Sequence, residues 1–131
     1  MKYLLDTCTV SYIINGKFPS VQANFAQHKH DDMAISAITH AELMYGIKKK
    51  GISIKVKQAV MTFCSTITIL PFTYACAEMY SDMRSNNEKA GLSLSAFDGL
   101  IAAHALAEKR TLITKDKAFK KIKELAVEDW S

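Results

Sequence analysis

MKYLLDTCTVSYII, residues 1–14, carries the pattern that decides the fold class. Tyr3-Leu4-Leu5 is apolar without alternation, as a strand buried on both faces must be, and Asp6 closes it. A helical stretch through Tyr12, Ile13 and Ile14 follows and stops near Asn15-Gly16. The same passage from short strand to helix recurs along the chain. Pro19 suits a helix start for the segment through Val21 and Phe25. Met33-Ala34-Ile35 reads as a second strand. Thr39 then opens a helix that carries Leu43, Met44 and Ile47 and ends in the lysine triplet near Gly51. A further helix is predicted from about Ser53 to Cys64, and Ile67 to Leu70, closed by Pro71, gives a third strand. Tyr74 to about Lys89 is helical, ended by Ala90-Gly91. Phe97 to about Glu108 is an Ala-rich helix, Leu112-Ile113 a fourth strand, Lys117 to Ile122 a short helix, and Ala126 to Trp130 a last, edge strand. Short apolar strands alternating with helices predict an α/β fold with a parallel sheet covered on both faces. The pattern leaves the strand order open.

With 131 residues, the chain is expected to form one domain over 1–131. Half the residues are apolar and 23% are charged, an ordinary globular composition without repeats or low-complexity tracts. No apolar run approaches the roughly 20 residues that span a bilayer. Asp6 interrupts the first run, so it reads as a strand and not as a signal peptide, and a cytoplasmic protein with no membrane partner is expected. Cys8, Cys64 and Cys76 are odd in number, far apart and without CxxC or Cys/His ligand spacing. They read as reduced thiols, which sets aside a disulfide framework or a zinc module.

Seventeen Lys and Arg oppose thirteen Asp and Glu. The excess is clustered: Lys48, Lys49, Lys50, Lys55 and Lys57 in one stretch, and Lys109, Arg110, Lys115, Lys117, Lys120, Lys121 and Lys123 in another. Such clusters suit a polyanion held through its phosphates, or else a solvated helix face.

Four acids, Asp6, Glu42, Asp98 and Asp116, stand where a predicted strand ends or a predicted helix begins. In an open α/β sheet these junctions gather outside the carboxyl ends of the strands, where ligands bind. Taken singly, each acid reads as a helix cap. Asp6 and Asp116 would accept a backbone N–H, Thr39-x-x-Glu42 would form a capping box and Ser95-x-x-Asp98 its near equivalent. Taken together they read differently. Carboxylates about 4 Å apart would repel by about 4 kcal/mol per pair at an effective dielectric of 20, more than the roughly 1 kcal/mol from each cap. Only bound cations make such a cluster tolerable, and all-oxygen ligands select Mg²⁺ or Mn²⁺. Metal-dependent phosphodiester chemistry is therefore expected. Histidine offers no rival: His104 is six residues from Asp98, about 240° round a helix. GxSxG, P-loop and GxGxxG motifs are all missing.

At this point the chain resembles the PIN-domain family, in particular VapC-type toxins of bacterial toxin–antitoxin pairs. The resemblance rests on LLDTCTV near the start, on the run from Ser36 to Gly46, on FDGLIAAHAL from Phe97 to Leu106, on LITKDKAF from Leu112 to Phe119 and on the terminal EDW. It implies a three-layer α/β/α, Rossmann-like fold with a short parallel sheet in the order 3-2-1-4-5. It also implies a Mg²⁺- or Mn²⁺-dependent endoribonuclease. The family's acidic quartet falls on Asp6, Glu42, Asp98 and Asp116, with Asp6 and Asp98 as principal metal ligands. Glu42 and Asp116 would bind directly or through water. Thr114 matches the hydroxyl residue before the last acid. Lys115, Lys117, Lys120 and Lys121 would hold RNA phosphates. The substrate implied is structured RNA, often tRNA and in some members initiator tRNA. A cognate antitoxin would block the cleft, and DNA would be met only indirectly through that antitoxin at the shared operon. A homodimer is implied as well. The chain departs from the family at Cys8, where Asn is common, at Lys115, where Asn or Arg is common, and at Ser93, where proline is frequent. A noncatalytic RNA- or protein-binding module, and a phosphatase or DNA nuclease on a similar sheet, stand as alternatives.

Overall fold

Five short parallel strands form the sheet of this protein, whose computed structural model describes residues 1–131. In chain order the elements are β1 (Tyr3–Leu5), α1 (Thr7–Asn15), α2 (Pro19–Gln27), β2 (Met33–Ser36), α3 (Ala37–Ile47), α4 (Ile54–Thr66), β3 (Thr68–Leu70), α5 (Tyr74–Lys89), α6 (Ala96–Ala107), β4 (Thr111–Ile113) and β5 (Val127–Glu128). Single 3-10 turns at His30–Asp32 and Lys117–Lys121 complete it. The strand order is β3-β2-β1-β4-β5, with Leu4 paired to Ala34 on one side and Leu112 on the other. The order reverses between β1 and β4, which opens a crevice at the carboxyl ends of those two strands.

Alternation of side chains along each strand sends them into two separate cores. Tyr3, Leu5, Met33, Ile35 and Ile113 face one side, where Val10, Val21, Leu43, Val60 and Phe63 from α1 to α4 cover them. Leu4, Ala34 and Leu112 face the other, under Met83 of α5, Ile101, Ala102 and Ala105 of α6, and Phe119. Every residue of β1 and β2 is buried, which is why those strands read as unbroken apolar runs. The alanines of α6 let it lie close to the sheet. Gly99 serves the same end against α5, since a Cβ there would stand 3.0 Å from the Tyr80 ring.

Two helix boundaries differ from those read in the sequence. The third helix starts at Ala37 with Ser36 as its N-cap, the Ser36 Oγ accepting the Ile38 N–H at 3.0 Å. Thr39 is therefore inside the helix and buried, and Glu42 is not its capping-box partner. The lysine triplet lies beyond the helix, which stops at Ile47. Lys48 to Lys50 are exposed in a turn that reaches Gly51 at φ +86°, because no apolar residue after Ile47 offers a face to bury. At the far edge β5 is only two residues long. Trp130 then folds back to stack on His28 at 4.6 Å, and its indole N–H donates to Glu128.

Leu4 is fully buried between β2, β4 and α6. Leu4→Ala should lower the free energy of unfolding by about 2–5 kcal/mol, read from urea denaturation. A loss below about 1 kcal/mol would mean that this face of the sheet is not closely packed.

Candidate active site

At the reversal point of the sheet, Asp6 leaves β1 and enters α1. Its N–H donates to the Ile113 carbonyl at 3.1 Å, tying the end of β1 to the end of β4. Its carboxylate accepts the Thr9 N–H at 2.7 Å and so caps α1. The Thr9 hydroxyl donates back to the same Ile113 carbonyl at 3.0 Å. The side chain thus has one direction, held at the positive end of a helix. Thr114 follows β4 and is buried; its Oγ accepts the Asp116 N–H at 3.1 Å. Asp116 is exposed and caps the turn at Lys117, accepting the Ala118 N–H at 2.9 Å.

Glu42 reaches the crevice from α3. The Thr7 hydroxyl donates to its Oε1 at 2.7 Å, and Thr39 Oγ lies 3.1 Å from Thr7. Thr7 has one proton, which goes to the carboxylate in the shorter, charge-assisted bond. Thr39 is left to donate to Thr7, so a buried relay of hydroxyls fixes Glu42. Asp98 is half-buried in the first turn of α6, where its N–H donates to Ser95 Oγ at 3.2 Å. Asp6 and Asp116 are thus capping residues, while Glu42 and Asp98 project from helices capped by Ser36 and Ser95.

Cys8 reports their convergence. Burial raises its thiol above the ordinary range, and the charges of Asp6, Asp98, Glu42 and Asp116 raise it further, in that order. One thiol at the mouth of the crevice therefore lies in the field of all four carboxylates. Asp6 is raised too, chiefly by burial. The Thr114 hydroxyl and the Thr9 amide oppose that rise, and Asp98 adds the smallest upward push. Desolvation of Asp6 thus outweighs its repulsion by Asp98, and no three of the acids form a compact ligand group. The compact trio of ligand-type side chains, with ligand atoms within 4.8 Å of one another, lies elsewhere, at Cys76, His104 and Glu108. An open ring of oxygen donors suits a hard cation such as Mg²⁺, which keeps several waters and binds through one or two carboxylates.

Basic and aromatic groups flank the acids. Lys115 Nζ lies 4.0 Å from the Phe18 ring centroid, with Lys17 5.5 Å from it. Asp129 is held below the ordinary carboxylate range. Burial pushes it up, and the Ser131 hydrogen bonds with Lys115 and Lys120 outweigh that push. Lys117, Lys120 and Lys121 are exposed on the turn that Asp116 caps. Sequence reasoning passed over Thr7 and Thr39 as supports of Glu42, and Phe18 with Lys17. Two threonines directly after a strand-ending Asp were the available signal. Ser93 lies exposed in the loop before α6.

The raised Asp6 carboxyl has a consequence for stability. Below the unfolded value of about 3.9 the neutral group carries no penalty; above it, folding must hold a charge that burial disfavours, so this contribution is lost as pH rises through the folded pKa. Asn caps a helix as well as Asp does. In chelated buffer Asp6→Asn should therefore be more stable than the parent at pH 7, with the gap closing near pH 3, measured by urea midpoints. An equal gap at both pH values would contradict the assignment.

Over residues 3–125 the sequence matches the PIN domain family. It is 38% identical to Ribonuclease VapC2 of Rickettsia felis, covering 99% of this chain and 98% of that one. It is 30% identical to the tRNA(fMet)-specific endonuclease VapC of Shigella flexneri, covering 100% and 99%. The fold superimposes with a TM-score of 0.90, at 35% identity and full coverage of both chains, on VapBC2 of Rickettsia felis, solved bound to a DNA fragment from its promoter. The order β3-β2-β1-β4-β5 and the three layers agree with that likeness. No helix is long and apolar enough to cross a membrane. The chain belongs to the PIN-domain family and, within it, to the VapC-type ribonuclease toxins.

Proposed function

We propose that this protein is a divalent-metal-dependent endoribonuclease, using Mg²⁺ or Mn²⁺, that cuts structured RNA of the tRNA class and is held inactive by a cognate antitoxin. The observation that carries this reading is the convergence of four acids on one thiol, Cys8, at the crevice between β1 and β4. The Shigella relative, named for cleaving tRNA(fMet), supports initiator tRNA as the substrate. The Rickettsia complex supports an antitoxin partner that meets promoter DNA.

Asp6 and Asp98 would hold the cation, with Glu42 and Asp116 completing the ring directly or through water. The cation would supply Lewis-acid stabilisation of charge on the phosphodiester and make a water acidic enough to attack at neutral pH. The remaining work belongs to the chain. The Thr9 amide keeps Asp6 aimed into the crevice. The Thr114 hydroxyl favours the charged form of Asp6, the form that binds metal. Thr7 points one oxygen of Glu42, so that acid needs no reorganisation when a cation arrives. Lys117, Lys120 and Lys121 hold backbone phosphates beside the acids, and Lys115, lying over Phe18, extends that rim.

Asp6→Asn and Asp98→Asn should each abolish Mg²⁺-dependent cleavage of RNA, exceeding the roughly 10–100-fold loss typical of outer-shell changes, while the circular dichroism spectrum stays native. Full-rate cleavage by both variants, or equal digestion of DNA, would remove the assignment. Charge reversal at Lys117, Lys120 and Lys121 should weaken RNA binding and flatten its salt dependence by about 0.7–0.9 in log–log slope for each phosphate no longer neutralised. An unchanged slope in a filter-binding titration would take these lysines out of the interface.

A further inference from the structure

His104 is fully buried in α6, yet its Nε2 has no hydrogen-bond partner. Nearly all buried polar atoms in folded proteins are satisfied, and leaving one bare costs about 1–3 kcal/mol. The other ring nitrogen is engaged: Nδ1 lies 2.7 Å from Ser36 Oγ. That hydroxyl already accepts the Ile38 N–H and has a second lone pair free. If Nδ1 donates its proton there, Nε2 presents a bare lone pair. The imidazole is not surrounded by hydrocarbon alone. Cys76 Sγ from the first turn of α5 and the Glu108 carboxylate, one turn further along α6, bring ligand atoms to within 4.8 Å of one another and of His104.

We propose that Cys76, His104 and Glu108 form a binding site for a borderline-soft divalent cation, Zn²⁺ being the physiological choice, with a fourth position open to water. The donor set is one sulfur, one imidazole nitrogen and one carboxylate oxygen, a combination that zinc accepts in tetrahedral geometry and that Mg²⁺ does not favour. Ligands at about 2.0–2.3 Å from a shared centre stand roughly 3.3–3.8 Å apart, so closure asks each atom to move by no more than about 1 Å. Glu108 is exposed and can swing inward. Cys76 and His104 need little motion, since α5 and α6 pack along their length.

Supporting groups are in place. The Thr73 hydroxyl lies 3.4 Å from Cys76 Sγ and can donate to it, which helps to orient the sulfur. Ser36 plays the outer-shell part that fixes a metal-binding imidazole in one tautomer and orientation. The Phe72 ring meets His104 edge-on at 5.6 Å and closes the apolar side. Burial lowers the imidazole pKa, Glu108 opposes that and Arg110 assists it, so the ring is neutral, as a ligand must be. This site is separate from the acids. His104 lies about 9 Å along the α6 axis from Asp98, and no residue is shared between the two sets.

Cobalt(II) titration of the chelator-stripped, reduced full chain tests the proposal, because cobalt bound to a thiolate gives a charge-transfer absorption that oxygen-only sites lack. One equivalent of Co²⁺ should raise that band and Zn²⁺ should bleach it. The band should persist in Asp98→Asn, Cys8→Ser and Cys64→Ser and vanish in Cys76→Ser. Glu108→Gln, an exposed change that leaves the fold intact, should weaken Co²⁺ binding at least about 10-fold. A missing band in the parent, a band surviving Cys76→Ser, a band lost with Cys8→Ser, or undiminished affinity in Glu108→Gln would each overturn it.

Discussion

Burying one carboxylate at the point where the sheet reverses is the constraint on which the rest of this molecule depends. Asp6 is held by its own N–H to Ile113, by the Thr9 amide and by the Thr114 hydroxyl, so three segments far apart in sequence meet at one side chain. The two strands joined there are neighbours only because the chain jumps from the β3 edge, across the face carrying α5 and α6, to the far side of β1. That crossover creates the crevice. A charged group is tolerable there because Asp6 sits at the start of α1, where its carboxylate accepts the Thr9 N–H.

Such an arrangement sets stability against function. A folded chain without cations carries a carboxylate whose charged form burial disfavours, and the local hydrogen bonds offset only part of that. Three of the four carboxylates are nonetheless fastened, Asp6 and Asp116 by accepting backbone N–H groups and Glu42 by Thr7, while Asp98 is engaged through its backbone N–H at the Ser95 cap. Capping and metal binding use the same property, a carboxylate or its neighbour aimed along a helix start. A junction that folds well therefore presents its acid in a fixed direction with no extra machinery.

Strand and helix identities were legible because β1 and β2 are buried on both faces and the alanines of α6 leave no other reading. Strand order was not, since nothing in Leu4 or Leu112 says that they pair; the order came through the family resemblance. The acids could be found from their place at junctions, but their spacing could not. A separation of about 4 Å was assumed as the reason for a cation. No three of the acids form a compact ligand group, and burial is the largest cause of the raised Asp6 carboxyl. Thr39 was misread as a cap because Thr-x-x-Glu is a local pattern. Ser36, buried at the end of β2, takes the cap, and Thr39 is drawn into the relay to Glu42. The cluster at Cys76 was invisible for a related reason. His104 and Glu108 stand one turn apart, but Cys76 belongs to another helix, and only the packing of α5 against α6 joins it to them.

Ligand hardness separates the two sets of side chains more sharply than distance does. The crevice offers four carboxylates and their supporting hydroxyls, with the Cys8 thiol at its mouth; the α5–α6 cluster offers a thiol, an imidazole nitrogen and a single carboxylate beside the Phe72 ring. A borderline-soft ion gains little from the first and much from the second, while a hard ion does the reverse. Ser36 links them mechanically: its hydroxyl bonds His104 and, in the same position, caps the helix that carries Glu42.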